Sequence, residues 1–287
     1  MVDRARSARH RGLVLSVLVA LAACSGGPAP PPPSTLAPEV VPPTGITIDR
    51  VTASVAPGGA SRRHSITIAR FDLTRFEPVL LTARAEGGAR TLDRWVSERH
   101  LAAAINAAMY EPDGSASGLC VRRSVEESDD DARFGGFYTL DPLAVGGAPF
   151  GMTGRDCAGF DIPTLRAAWG SIVATYRLLD CAGRPIAWID PDRYSAAAIA
   201  MDRQGRLVLI HSRTPYRMSE LAQMLAAPAL DLTQAFFVEG GPEATLIIDA
   251  GDLHVREVGL RRDLPDGVEP ERDALYELPN VLGLRPR

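Results

Sequence analysis

Apolar and polar residues alternate from Ile46 and Ile48 onward, with interruptions, almost to the end of the chain. Segments 44–55 and 65–71 carry this period-two pattern on either side of Pro57-Gly58-Gly59, which predicts a hairpin. A strand is predicted at 78–82 around Val79-Leu80-Leu81. Leu92, Trp95 and Val96 have helical spacing and predict a helix over 92–100 with Thr91 as its N-cap. Residues 101–109 are apolar except for Asn106, and periodicity alone allows strand or helix. The short run and the turn Glu111-Pro112-Asp113-Gly114 favour a strand that ends in a loop. Strands are expected at 118–121, 134–140, 172–178 and 186–189, a helix at 162–168, and a solvated hairpin tip at the acidic run 126–131. Segments 195–201 and 206–211, joined by Asp202-Arg203-Gln204-Gly205, read as a second hairpin. Ser219 is the expected cap of an amphipathic helix over 219–225, and strands at 235–238, 244–248 and 254–258 finish the sheet. Many strands and few helices without regular alternation predict an α+β fold. The expected form is a single domain with an extensive, mostly antiparallel or mixed, curved sheet and a few flanking helices.

The first 44 residues follow another pattern. Arg4, Arg6, Arg9 and Arg11 precede an apolar run over 13–23 and then Cys24. This is the layout of a secretory signal, and the run is shorter than the roughly 20 residues a membrane-spanning helix needs. Leu21-Ala22-Ala23-Cys24 resembles a bacterial lipobox, in which the cysteine thiol is acylated and becomes the new N-terminus. The alternative is an ordinary signal peptide with an incidental cysteine. On the first reading residues 1–24 are a lipoprotein signal, and the chain sits on the membrane of a bacterial cell envelope, at the outer membrane or periplasmic face. Residues 25–44 contain prolines 28, 30–33, 38, 42 and 43 and read as a disordered, polyproline-rich tether. Residues 45–287 form the folded domain.

Charge and composition narrow the chemistry. The formal charge of the whole chain is −4; without the signal's four arginines and Asp3, 27 basic residues face 34 acidic ones, a net −7. That argues against a nucleic-acid partner, which calls for a basic face. Lysine is absent, which excludes Schiff-base, P-loop and Ser-Lys chemistry. Beyond Cys24 the cysteines are Cys120, Cys157 and Cys181. Outside the cytoplasm a pair oxidises, and Cys157 with Cys181 brackets a helical segment able to return the chain to its start. That favours their disulfide and leaves Cys120 a buried thiol. No spacing fits a zinc site.

Four short blocks could carry chemistry. The first is Asn106-Ala107-Ala108-Met109-Tyr110, followed by Gly118-Leu119. A buried amide left unpaired costs about 1–3 kcal/mol, so Asn106 needs partners, either a substrate or a neighbouring loop. The second, Val238-Glu239-Gly240-Gly241-Pro242-Glu243-Ala244, places a carboxylate at a strand end beside permissive backbone. Glu239 is a candidate acid/base there, with a solvent-facing turn glutamate as the alternative. The third is Arg193-Tyr194-Ser195-Ala196-Ala197-Ala198-Ile199, entering a small-residue strand. The fourth, Ile210-His211-Ser212-Arg213, offers an imidazole as a proton shuttle and a guanidinium for a phosphate, or else a satisfied structural histidine.

In order, these blocks resemble the phosphodiester glycosidase family. The family's Asn-Ala/Gly-Gly-Met/Tyr-Phe block is similar to 106–110, its central Arg-x-Ser/Thr-Ala-Ile-Gly strand to 193–199, and its Leu-Asp-Gly-Gly block to 238–241. Two departures stand out: Glu239 replaces the family's Asp, and Pro242-Glu243-Ala244 replaces its Ser/Thr. They resemble a bacterial exported subgroup that also carries the His211 strand and the Cys157/Cys181 pair. The resemblance implies hydrolysis of a sugar-1-phosphodiester on an envelope or extracellular glycan. By the resemblance, Asn106, Ser195 and Glu239 line the cleft; the reading of the residues themselves adds His211, Arg213 and Glu243. Together they give Asn106, Glu239, Ser195 and His211 as catalytic candidates, and Arg213, Glu243, Gly240, Gly241 and Tyr110 as substrate-binding ones. The resemblance implies a carbohydrate partner; a monomer is expected, with no assigned metal ligand. A Ca²⁺ site, known in some relatives, stays open as a cofactor site that the sequence cannot place. The altered motif also admits a non-catalytic glycan-binding lipoprotein on the same fold.

Overall fold

The computed structural model of the chain describes residues 45–52, 65–260 and 275–287. Cys24, the signal, the tether and the turn at 57–59 lie outside the described residues. In chain order the strands are β1 Ile46–Thr52, β2 Ser65–Phe71, β3 Phe76–Thr82, β4 Arg90–Thr91, β5 Ala103–Asn106, β6 Cys120–Arg122, β7 Val125–Ser128, β8 Gly136–Pro142 and β9 Phe150–Gly154. They continue as β10 Trp169–Leu179, β11 Tyr194–Asp202, β12 Leu207–Tyr216, β13 Leu232–Gly240, β14 Thr245–Ala250, β15 Leu253–Val258, β16 Glu277–Leu278 and β17 Asn280–Pro286. The helices among the described residues are α1 Ala83–Glu86, α2 Leu92–Glu98, α3 Ile162–Ala168 and α4 Met218–Leu225. The α+β expectation holds, with 50% of the described residues in strands and 15% in helices.

The strands form two main sheets. One runs β1-β2-β12-β11-β13-β10-β6-β7, with β8 on β10 and β9 on β8; the other runs β15-β14-β5-β17-β3. Pairings β11–β12, β11–β13, β12–β2 and β17–β5 are all antiparallel. The sheets pack face to face. Phe71, Ala197, Ile199, Leu209, Phe236 and Val238 of the larger meet Leu80, Ile105, Leu246, Ile248 and Leu282 of the smaller in one core. The outer face of the larger sheet is covered by Met218, Leu221, Ala222 and Leu225 of α4, and that of the smaller by Leu92, Trp95 and Val96 of α2. Each buried Leu or Ile contributes about 1.5–3 kcal/mol of transfer free energy, so these stripes fix which helix face turns inward.

The predicted 195–211 hairpin is β11–β12. Its turn is held by the buried Asp202 carboxylate, which accepts N–H bonds from Gln204 at 3.0 Å and Arg206 at 2.9 Å. Four local expectations change. Residues 186–189 are irregular: the chain turns at 181–183, Pro185 makes an isolated bridge to Leu179, and Trp188 folds back onto the Arg177 carbonyl, 2.9 Å away. The acidic residues Glu126 and Glu127 lie in edge strand β7, where charge discourages edge pairing; the tip is Arg123-Ser124, both at positive φ. Helix α4 starts after Arg217, whose N–H bonds the Glu220 carboxylate at 3.2 Å, so Ser219 is not the cap. Strand β17, not expected, lies between β5 and β3.

Candidate active site

Strand β13 carries Phe237, Val238 and Glu239 out of the core into a 3-10 turn, Gly241–Glu243. A register shift between Ala197 and Ala198 marks a β-bulge in β13 at Val238. Bulges bend a strand and re-aim its side chains, and this one sits immediately before the carboxylate. Gly241 has φ +70°, a left-handed conformation that glycine adopts without a Cβ penalty. Glu239, Gly240 and Gly241 line a cleft of about 780 Å³.

Glu239 is half-buried. Loss of solvent around its carboxyl, reinforced by the negative charge of Glu243, pushes its pKa up to about 8, against the opposing N–H bond from Gly240 at 2.9 Å. Tyr110 shares this environment: burial and the charges of Glu239 and Glu243 raise its phenol to about 12. At neutral pH the site therefore holds a protonated carboxyl, a neutral phenol and a second carboxyl group on Glu243.

The other sequence-predicted residues stand behind this turn rather than in the cleft. Asn106, buried at the end of β5, donates from Nδ2 to the Glu243 carbonyl at 3.1 Å and accepts the Thr245 N–H on Oδ1 at 2.9 Å. Both ends of its amide are satisfied by the segment that follows the glycines. Ser195 is buried in β11; its hydroxyl donates to the Arg213 carbonyl at 2.6 Å and accepts from the Leu260 N–H at 2.9 Å. His211 is buried in β12, with Nε2 3.1 Å from the Ala244 carbonyl and Nδ1 unpartnered among the described residues. Desolvation lowers its pKa to about 4, so at neutral pH it is uncharged and Nε2–H donates to that carbonyl. Arg213 Nη1 donates to the Val258 carbonyl at 2.9 Å.

These bonds converge on two backbone segments, the 240–245 turn and the end of β15. Gly259 completes the junction. Its N–H donates to the Ala244 carbonyl at 2.8 Å, and a Cβ built on it would lie 1.8 Å from the Gly241 oxygen. Only a bare Cα fits there, a close-approach signal that a lone glycine after a predicted strand could have given.

Sequence reasoning also missed the wall facing Glu239. Tyr176, Trp188, Tyr194 and Phe237 line the cleft with Met109, Arg133 and Arg177. Trp188 lies in the irregular stretch mistaken for a strand; a tryptophan between Pro185 and Pro191 was the available cue. Arg177 pairs with Asp156, beside the Cys157–Cys181 disulfide, whose Cα atoms are 5.7 Å apart. Asp156 and the two cysteines form a compact group, but sulfurs bonded to one another are not thiolate ligands, so the cluster is a poor cation site. Cys120 is the free, buried thiol that the cysteine count left over, its pKa pushed up to about 12 by burial.

Comparison with known proteins places this geometry. Residues 99–283 match the profile of the family described as phosphodiester glycosidase, NAGPA. Among solved structures, the chain is similar to the zebrafish N-acetylglucosamine-1-phosphodiester alpha-N-acetylglucosaminidase catalytic domain, auto-inhibited by its pro-peptide. The TM-score is 0.57 at 14% identity, covering 84% of this chain and 82% of that one. It is similar to a hypothetical protein from Synechocystis at TM-score 0.57 and 15% identity, over 85% of this chain and 62% of that one. No curated protein matches in sequence. At these identities the two structures speak to the fold alone, whereas the profile spans the four blocks and strands β10, β11 and β13, which carry the cleft. The chain belongs to the phosphodiester glycosidase family.

Proposed function

We propose that this chain is an exported lipoprotein, anchored through Cys24, that hydrolyses a sugar-1-phosphodiester on an envelope or extracellular glycan. The observation that carries the enzymatic part is Glu239: a carboxyl lining the cleft, with a pKa of about 8, beside a second carboxyl-bearing residue. A carboxyl that holds its proton at neutral pH is a general acid.

Its Oε1 accepts the Gly240 N–H, which leaves Oε2 to carry the proton. That proton passes to the bridging oxygen as the anomeric C–O bond breaks, and the phosphomonoester leaves. Positive charge develops at the anomeric carbon, and Glu243 is the nearby carboxylate that would stabilise it. Water then adds to that carbon, and the Glu239 carboxylate takes up its proton. Arg133 and Arg177 are the guanidinium groups lining the cleft. Each pairs with an aspartate, Asp131 and Asp156, and retains further N–H donors for a phosphate. Asn106, Ser195, His211 and Arg213 act as positioning residues: Asn106 and His211 bond the 240–245 turn from behind, and Ser195 and Arg213 bond the end of β15 that packs against it. This departs from the catalytic roles expected of Ser195 and His211 from the sequence, because their bonds go to backbone carbonyls and N–H groups.

The test is release of reducing sugar from a sugar-1-phosphodiester by the purified protein. Glu239→Gln is expected to lose about 10²–10⁴-fold in kcat, the usual contribution of a positioned acid. Asn106→Ala, which frees the turn, is expected to lose activity while keeping its fold. Full activity in both variants would refute the site assignment. Saccharide binding without turnover would favour the glycan-binding alternative.

A further inference from the structure

We infer that the cleft is built for an extended glycan chain, with Trp188 as the specificity-determining platform for a sugar unit beyond the one being cleaved. The inference rests on the glycosidase reading of Glu239 but is drawn from the aromatic lining of the same cleft.

The wall is a continuous row of rings. Tyr176 on β10 and Phe237 on β13 are directly paired across strands, and β11, which carries Tyr194, lies on the other side of β13. Trp188 stands edge-on to both Tyr176 and Phe237, with centroids 5.4 and 5.7 Å away and interplanar angles of 64° and 71°. Tyr194 meets Phe237 at 6.0 Å. Three neighbouring strands separated by two spacings span about 10 Å, wider than a single pyranose ring. The cleft volume of about 780 Å³ lies toward the upper end of the range for sites that enclose a whole small molecule.

The row is also held rigidly. Trp188 Nε1 donates to the Arg177 carbonyl at 2.9 Å, and the Tyr194 hydroxyl to Asp190 at 2.8 Å. Gly240 permits the close approach: a Cβ there would lie 2.8 Å from Tyr194 Cδ2 and 3.0 Å from Phe237 Cζ. Fixed, neutral rings with an apolar face and a bonded polar edge suit the C–H face of a saccharide, and preorganisation spares the ligand the cost of ordering them. At the lip, Ile189 is 98% exposed beside Trp188, extending the apolar surface outward rather than closing the cleft. A site for one small sugar phosphate would need none of this reach.

The experiment compares methyl phosphodiesters of a monosaccharide and of its tetrasaccharide, the phosphate on the reducing-end anomeric carbon in both. The wild-type protein is expected to prefer the tetrasaccharide by about tenfold in kcat/KM, equivalent to about 1.4 kcal/mol. Trp188→Ala should bring that ratio close to one, and Trp188→Phe, which keeps a ring, should retain part of it. Equal kcat/KM for the two substrates in the wild type, or an unchanged ratio in Trp188→Ala, overturns the inference while leaving the glycosidase reading intact. If neither substrate turns over, the glycosidase reading fails. Calorimetric binding of the free mono- and tetrasaccharide then decides the extended cleft separately: tighter tetrasaccharide binding lost in Trp188→Ala supports it, and equal binding overturns it.

Discussion

In the proposed reaction Glu239 is the general acid, and its environment makes a pH prediction with a definite sign. A general acid with a pKa near 8 is protonated below that value, so turnover should fall as pH rises through about 8; Glu239→Gln should lack this limb in its residual rate. Stability follows the same group. Its pKa rises from 4.5 in the unfolded chain to about 8, so the folded chain binds more protons between those values, and stability declines as pH climbs across that window. His211 works in the opposite direction. Its pKa falls from 6.5 to about 4, and its contribution, full above 6.5, is lost as pH drops through 4. A Tm-versus-pH profile should therefore be level where the two windows overlap, between 4.5 and 6.5, and descend on both sides of it; Glu239→Gln should abolish the descent toward pH 8 and let stability rise across the overlap. At this scale the sequence was partly legible. A carboxylate followed by two glycines at a strand end announces itself. For Ser195 and His211 the strand was legible but the partners were not, because pattern tells which strand a side chain sits on and not which backbone group, 33 or 65 residues away, it will bond.

Among elements, the junction between the 240–245 turn and the end of β15 is the most sensitive. Gly259→Ala forces a Cβ into the space of the Gly241 oxygen, so one of the two segments must move. Expected results are a large loss of activity and a Tm drop; an alanine variant with unchanged kinetics would show that the turn is not held there. Ser195→Ala leaves the Leu260 N–H without its acceptor and the Arg213 carbonyl without its donor. A cost of about 1–3 kcal/mol in denaturant unfolding is expected. Helix α3 was predicted to the residue, since the Asp161 carboxylate accepts the Thr164 N–H and Pro163 follows in the first turn, both readable locally. Strand β17 was not, because Val281, Leu282 and Leu284 make sense only beside β5 and β3, far away in sequence. The stretch 186–189 failed for the converse reason: its apolar residues look like a strand but serve as cleft wall and lip.

For the whole molecule, the α+β class was readable from the density of short alternating segments, but the division into two sheets was not. It depends on antiparallel pairings such as β5 with β17 and β14 that join distant parts of the chain. The Cys157–Cys181 bond closes a loop of sequence separation 24 and tethers the end of β10, from which the Trp188 stretch departs, to the segment after β9. Its removal by Cys157→Ser with Cys181→Ser should cost about 2–4 kcal/mol. The lipid proposal has its own check: the mature N-terminus should be a diacylated, N-acylated Cys24 by mass spectrometry, and an unmodified Cys24 or cleavage elsewhere would contradict it. The central claim is that this chain breaks the sugar's anomeric carbon–oxygen bond rather than a phosphorus–oxygen bond. Turnover of a sugar-1-phosphodiester in heavy-oxygen water tests it most directly. The account predicts the label in the anomeric hydroxyl of the released sugar; label in the phosphate would contradict it.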